Sequence, residues 1–239
     1  MASYFRQKII DSDCLVFFDL EATQFGHHAI AIGMVIVPKR PGTLWETYGE
    51  PITYKRYLTT EEAIGKVVID MTGITKEILD KEGIPFGESI KEINDLLRPF
   101  RRCVYLSYGK EDVMFIQRTL DFRQRYQGAF FAQLTHHYLD LQTYLGHYLI
   151  GERNNFLSVS RLMALYGIEP RGNYHDPLTD SYAIEDILKA FYEQKDRTLF
   201  LILDNYERLR KIPGLDKKLA LCCLRHDTRD PEEILWEAL

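Results

Sequence analysis

Apolar residues are spaced differently in the two halves of the chain. From residue 14 to 57 they form short runs rich in β-branched and aromatic side chains, the spacing of strands. The first, Cys14-Leu15-Val16-Phe17-Phe18-Asp19-Leu20-Glu21-Ala22-Thr23, reads as a buried strand, followed by a turn over 24–28. A second run, Ile30 to Val37, stops at Pro38; Pro41-Gly42 marks a turn, and Thr43 to Tyr57 alternates like a third strand. Three strands with short links predict an antiparallel meander. Thr59 to Glu62 has the form of a capping box and predicts a helix start. Thr75–Leu79 and Glu88–Leu97 read as short helices, the latter closed near Pro99. Cys103 to Tyr108 is a strand that Gly109 turns into a helix over 111–120, and a further strand signal surrounds Tyr138 to Leu141. Ser158–Tyr166 predicts a helix ended by Gly167, and Thr179–Gln194 a longer one with Tyr182, Ala183, Ile187, Leu188 and Phe191 at helical spacing. Strands as a meander, then strands alternating with helices, predict an α/β chain with a mixed sheet flanked by helices. An apolar helical tail follows, including Ile212-Pro213-Gly214. The expected division is a main domain at 1–195 and a helical extension at 196–239, packed on that domain or on a partner.

Composition changes this picture little. With 239 residues, 46% hydrophobic and 27% charged, the chain can bury a full core. No apolar stretch approaches the ~20 residues of a membrane span, and the first residues lack a signal-peptide core; a cytoplasmic protein without membrane contact is expected. None of the four cysteines forms a CxxC. Cys14 and Cys103 read as small core residues, and Cys222 and Cys223 as packed thiols. The net charge of −5 argues against a chain-wide grip on nucleic acid, though not against a local one. Lys39-Arg40, Lys55-Arg56, Arg101-Arg102 and the trio Arg118, Arg123, Arg125 read mostly as solvated surface.

Candidate chemistry starts at Asp19 and Glu21. Strand periodicity puts both on one face, with Phe18 and Leu20 on the other. Two carboxylates pressed together on a buried strand repel each other and lose hydration, a cost that divalent cations remove. Asp112 sits in the first turn of a helix, where an acid is also favourable by the macrodipole alone. In His175-Asp176-Pro177-Leu178-Thr179-Asp180, Asp176 and Pro177 form a natural N-cap and N1 pair. His175 then precedes the helix and Asp180 lies one turn in. Taken singly, these are a helix charge and a capped surface loop. Together, Asp19, Glu21, Asp112 and Asp180 supply the charge that two Mg²⁺ or Mn²⁺ ions need, and His175 a base that titrates near neutrality.

At these residues the chain resembles the DEDDh 3′-to-5′ exonucleases, the group that includes ribonuclease T and the proofreading ε subunit of DNA polymerase III. Phe17 to Thr23 matches the family's D-x-E-x-T motif, Ser107 to Asp112 approaches S-W-G-x-x-D, and His175 to Asp180 approaches H-x-A-x-x-D. Met71 to Thr75 is similar to an L-T-G-I-T segment between the first two motifs. The resemblance covers roughly residues 13 to 195. It implies a ribonuclease H-like fold and 3′-to-5′ release of nucleoside 5′-monophosphates from single-stranded 3′ ends, with RNA slightly favoured over DNA. By the same resemblance Asp19 bridges both metals, Glu21 and Asp180 hold the metal carrying the attacking water, Asp112 holds the second, and His175 deprotonates the water. Thr23 is placed at the terminal nucleotide. Among Phe25, Tyr108, Phe130, Phe131 and Phe156, Phe25 is expected to wedge against a terminal base. Tyr108 stands where the family usually has Trp and bears on how that base packs. Pro177 and Ser181 also depart from the family pattern, and Asp176 beside His175 suggests a raised imidazole pKa and an alkaline activity optimum. Hydrolysis of short oligonucleotides or dinucleotides, and a non-catalytic binding module on the same fold, are the alternatives. A homodimer or protein partner through the C-terminal helices stays open.

Overall fold

The computed structural model describes residues 2–120, 129–151, 155–205, 213–225 and 229–238. Arg123, Arg125, Ile212 and the side chain of Phe131 lie outside the described residues. The chain divides into two compact units, one of Ser3–Leu141 with Pro170–Glu185, the other of Gln142–Glu169 with Asp186–Leu239.

The first unit is built on a five-stranded mixed sheet: β1 (Cys14–Ala22), β2 (Ala29–Pro38), β3 (Ile52–Tyr57), β4 (Cys103–Ser107) and β5 (Tyr138–Asp140), in the order β3-β2-β1-β4-β5. β1 to β3 form the expected antiparallel meander, and β4 and β5 add in parallel beside β1. The continuous apolar runs of β1 and β2 are what a central, two-sided strand requires; β2 is buried at every position. On one face, Cys14, Val16, Phe18 and Leu20 pack with Ile32, Met34, Ile36, Cys103 and Tyr105 against Ile90, Ile93 and Leu97. Those last three lie on α4 (Phe86–Leu97). Cys14 and Cys103 are register partners, 0% and 1% exposed, and serve as core residues.

Several elements depart from the hydrophobic pattern for local reasons. Among the described side chains of α1 (Ala2–Asp11), Phe5 and Ile9 are the buried apolar ones, too narrow a stripe to signal a helix. The third strand begins only at Ile52, because 40–46 closes on itself through Arg40 N–H to the Glu46 carbonyl and Thr43 Oγ1 to the Arg40 carbonyl. Thr59 to Glu62 is not helical: Leu58 and Thr59 give their amides to Ile30 and Ile84, and Thr60 Oγ1 takes the Glu62 amide in a tight turn. The helix nearby is α2 (Lys66–Thr72), followed by α3 (Lys76–Glu82) with Thr75 as its cap. α5 (Glu111–Thr119) forms where the pattern placed it, whereas α6 (Ala129–His137) was not signalled.

The second unit contains most of α7 (Leu141–Leu145), α8 (Val159–Tyr166) between a Ser158 cap and the expected Gly167, α10 (Lys195–Asn205), α11 (Leu215–Leu224) and α12 (Pro231–Ala238). Tyr144, Tyr148, Phe191 and Tyr192 pack edge to face, and the buried Glu232 accepts hydrogen bonds from the Tyr144 and Tyr148 hydroxyls. Phe191 and Tyr192 belong to α9 (Pro177–Glu193), whose first residues return to the first unit. No described helix is long and apolar enough to cross a membrane.

Candidate active site

β1 and β4 run parallel with Phe17 opposite Leu106, so both carboxyl ends reach the same edge of the sheet. Beyond β4 the chain turns sharply at Gly109, whose φ of 107° suits a residue without Cβ. Ser107 Oγ donates to the Gly109 carbonyl at 2.8 Å, and the Gly109 amide donates to Asp140 Oδ1 at 3.2 Å. That fixed turn starts α5 and puts the buried Asp112 in its first turn, where Oδ1 accepts the Leu20 amide at 2.9 Å. Asp112 is thereby tied to the peptide between Asp19 and Glu21.

The third contributor is the start of α9, which begins as expected: Asp176 Oδ1 caps it by accepting the Leu178 and Thr179 amides at 3.0 and 3.3 Å, with Pro177 in the first position. This helix start lies directly on Gly33 of β2. A Cβ at Gly33 would stand 2.2 Å from the Pro177 carbonyl carbon, so only glycine admits the approach. The buried Ser181 hydroxyl reaches the carbonyls of Pro177 and Gly33 at 2.6 and 3.0 Å. Gly33 is the register partner of Asp19 on one side and Lys55 on the other. Lys55 Nζ donates to Asp176 Oδ2 in an ion pair. His175, just before the cap, has a left-handed φ of 62° and gives its amide to Asp180 Oδ2 at 3.1 Å.

The result is a crowded acidic site. A ligand atom from each of Glu21, His175 and Asp180 lies within 4.8 Å of the others. Burial pushes Asp19 well above the usual carboxylate range, and Asp112, Asp180, Glu21 and Asp176 push it further. Burial, then Asp180, Asp112 and Asp176, lift Glu21 to about 8. Burial raises Asp112 to about 7 against the stabilising Leu20 amide and Ser107, and raises Asp180 against the His175 amide. Asp176 goes the other way: burial opposes its charge, but Lys55 and the helix amides outweigh it and hold it low. Its carboxylate is thus committed to Lys55 and the cap, and the carboxylates that face His175 are Glu21 and Asp180. Four crowded, desolvated carboxylates present only hard oxygen donors, a set that fits Mg²⁺ or Mn²⁺.

The three other candidate positions differ among themselves. Thr23 is buried; its hydroxyl donates to Glu62 Oε2 at 2.8 Å and accepts the His28 amide at 3.0 Å, so its proton serves the loop that follows β1. Phe25, on that loop, is 72% exposed. Tyr108 is half-buried, and burial with Asp140 nearby keeps its hydroxyl protonated. Sequence reasoning passed over Gly33, Lys55 and Glu62. Only Gly33 carried a signal, an isolated glycine in a strand, which often marks close approach of another backbone.

No protein-family model matches the sequence, nor does any curated protein. Solved structures do match. Cell-death related nuclease 4 (CRN-4) superposes with a TM-score of 0.59 at 17% identity, over 75% of this chain and 63% of its own. The nuclease domain of 3′hExo, a DEDDh family member bound to rAMP, gives 0.53 at 18%, over 74% of this chain and 90% of its own. E. coli exonuclease I in complex with a dT13 oligonucleotide gives 0.56 at 20%, over 84% and 45%. At such identities the likeness establishes architecture: the mixed sheet and its helices are the ribonuclease H-like fold that these nucleases share.

Proposed function

We propose that the chain is a divalent-metal-dependent 3′-to-5′ exonuclease of single-stranded nucleic acid, with RNA favoured over DNA. The observation that carries this reading is the convergence of Asp19, Glu21, Asp112 and Asp180 from three elements on one end of the sheet, with His175 beside them. The four carboxylates would hold two Mg²⁺ or Mn²⁺ ions. Bound there, the ions supply a lowered water pKa and neutralise charge at the phosphate. His175, exposed at the rim, takes the proton of the attacking water on a ring nitrogen. The water oxygen bonds to phosphorus as the bond to the preceding 3′ oxygen breaks, releasing a nucleoside 5′-monophosphate and a strand one residue shorter. Exposed Phe25 offers a face for the terminal base, and Tyr108 lies at the turn between β4 and α5. A net charge of −5 gives some support to short oligonucleotides as the preferred length.

The test is degradation of 3′-labelled and 5′-labelled single-stranded RNA and DNA with Mn²⁺ or Mg²⁺, beside an Asp19→Ala control. Immediate mononucleotide release from the 3′ label, abolished by EDTA and in the control, is expected. No release from any strand, with metal binding demonstrated by calorimetry, would move the assignment to a binding module.

A further inference from the structure

Lys55 belongs to no motif in the sequence, yet it stands at the end of a row that crosses the sheet. Asp19, Gly33 and Lys55 are consecutive register partners on β1, β2 and β3. Because Gly33 has no side chain, the α9 start fills the gap between the other two. Lys55 therefore meets Asp176 across a glycine. We propose that Lys55 is a positioning residue, and that its ion pair with Asp176 holds the adjacent His175 in the geometry the site requires. The catalytic consequence rests on the reading of His175 as the general base.

Most surface ion pairs contribute little, because two long side chains must be ordered in water to form them. This pair differs in two respects. Both partners are about two-thirds buried. Both are also fixed independently, Lys55 by its strand register and Asp176 by its two cap hydrogen bonds. The carboxylate of Asp176 is divided accordingly, Oδ1 to the helix amides and Oδ2 to Lys55. One residue upstream, His175 occupies the left-handed region, which a non-glycine residue holds only when its surroundings enforce it. On one side the enforcement is the hydrogen bond its backbone amide donates to Asp180 Oδ2. On the other it is Asp176, anchored to β3. Asp180 must also face the metal site, so the Lys55–Asp176 link is the anchor that does not compete with it. Misplacement of a reacting group by about 1 Å can cost on the order of 100-fold in rate.

The experiment is a double-mutant cycle with Lys55→Met and Asp176→Asn, plus Lys55→Arg, read in two ways. Amide hydrogen exchange of His175 is followed by NMR in the metal-free protein. Turnover on single-stranded RNA with Mn²⁺ is followed as kcat and KM separately. His175 exchange is expected to accelerate about 10-fold or more in either single variant while the β1 and β2 amides keep their protection. The kcat falls by roughly 10–100-fold at nearly constant KM, the double variant is no worse than either single one, and Lys55→Arg restores most of the loss. Unchanged His175 exchange in Lys55→Met overturns the proposal. So does a rise in KM at constant kcat, which would make Lys55 a direct phosphate contact, or simple additivity in the cycle. If the wild-type chain cleaves nothing, the exonuclease reading fails, and the exchange measurement still decides whether Lys55 holds His175.

Discussion

The two ends of β1 bury charge in opposite ways. At the amino end, the chain itself satisfies every group named here. Asp13 accepts the amides of Arg101 and Arg102 at 2.9 Å each, and the ammonium of Lys39, 0% exposed, donates to the carbonyls of Ile9 and Ser12 at 2.9 Å and of Arg40 at 3.2 Å. At the carboxyl end, six residues on, Asp19 and Glu21 face Asp112 and Asp180, like charges that each raise the cost of ionising the others. One end is closed as a fold requires. The other crowds like charges together, and under the proposed reading divalent cations would offset them.

The sharpest way to break the comparison is to remove one charge from the crowded end. On the proposed reading, Asp19→Asn should lower exonuclease turnover by roughly 10³-fold or more, since a carboxylate that would hold the ions is lost. The same change relieves repulsion, so without metal the variant should melt higher than the wild type, by about 2–4 °C per kcal/mol relieved. Thermal melts in EDTA beside a turnover assay read both. At the closed end the signs reverse. Lys39→Met removes a donor shared by the carbonyls of Ile9, Ile10, Ser12 and Arg40, of which Ile9, Ile10 and Arg40 keep other donors, and should cost about 1–3 kcal/mol, while turnover of the folded fraction at low temperature stays unchanged. Denaturant unfolding measures this loss, and a variant as stable as wild type would dissolve the contrast.

The pH dependence of the metal-free protein sharpens it further. Glu21 is raised from 4.5 to about 8 and Asp112 from 3.8 to about 7, so the folded state binds these protons more tightly than the unfolded one. Stability from this source is present below about pH 4 and is lost as pH rises through 7 to 8. Metal held by the deprotonated carboxylates, as proposed, would reverse the trend. Saturating Mn²⁺, at about 100 times its Kd, should raise the melting temperature by roughly 5–10 °C at pH 8. The rise should be much smaller at pH 5. Equal shifts at both pH values would mean that the ions bind elsewhere.

How much of this was legible beforehand follows the range of the interactions. Asp19, Glu21 and Asp112 could be read because strand and helix periodicity are local, and the Asp176–Pro177 helix start because capping is local. The meander was legible for the same reason, since β1 and β2 are continuous apolar runs. What escaped depends on register. Lys39 and Lys55 look alike in the sequence, each the first of a Lys-Arg pair, yet one ends up enclosed by carbonyls and the other paired across 121 positions with Asp176. Glu62 looked like part of a capping box, but Thr23 and His28 claim it. No local pattern announces such partners.

The smallest effect is expected just beyond β1, where the loop after the carboxylates carries Phe25. Thr23 and Phe25 are two residues apart and differ sharply in exposure. Thr23 is sealed against Glu62, whereas Phe25 leaves 72% of its surface in water. A ring left mostly in water contributes little to stability, so Phe25→Ala should leave the unfolding free energy within about 0.5 kcal/mol of wild type. Stacking of one base on an aromatic ring is worth about 1–3 kcal/mol. If Phe25 meets the terminal base, KM for single-stranded RNA should rise by about 5-fold, the low end of that range, with kcat little changed. The same substitution should matter equally for RNA and DNA of matched sequence, because a stacked ring reads the base face and not the sugar. Steady-state kinetics on the two polymers test both points. A KM that does not move would place the base elsewhere at the site and leave Phe25 as an exposed ring without a substrate.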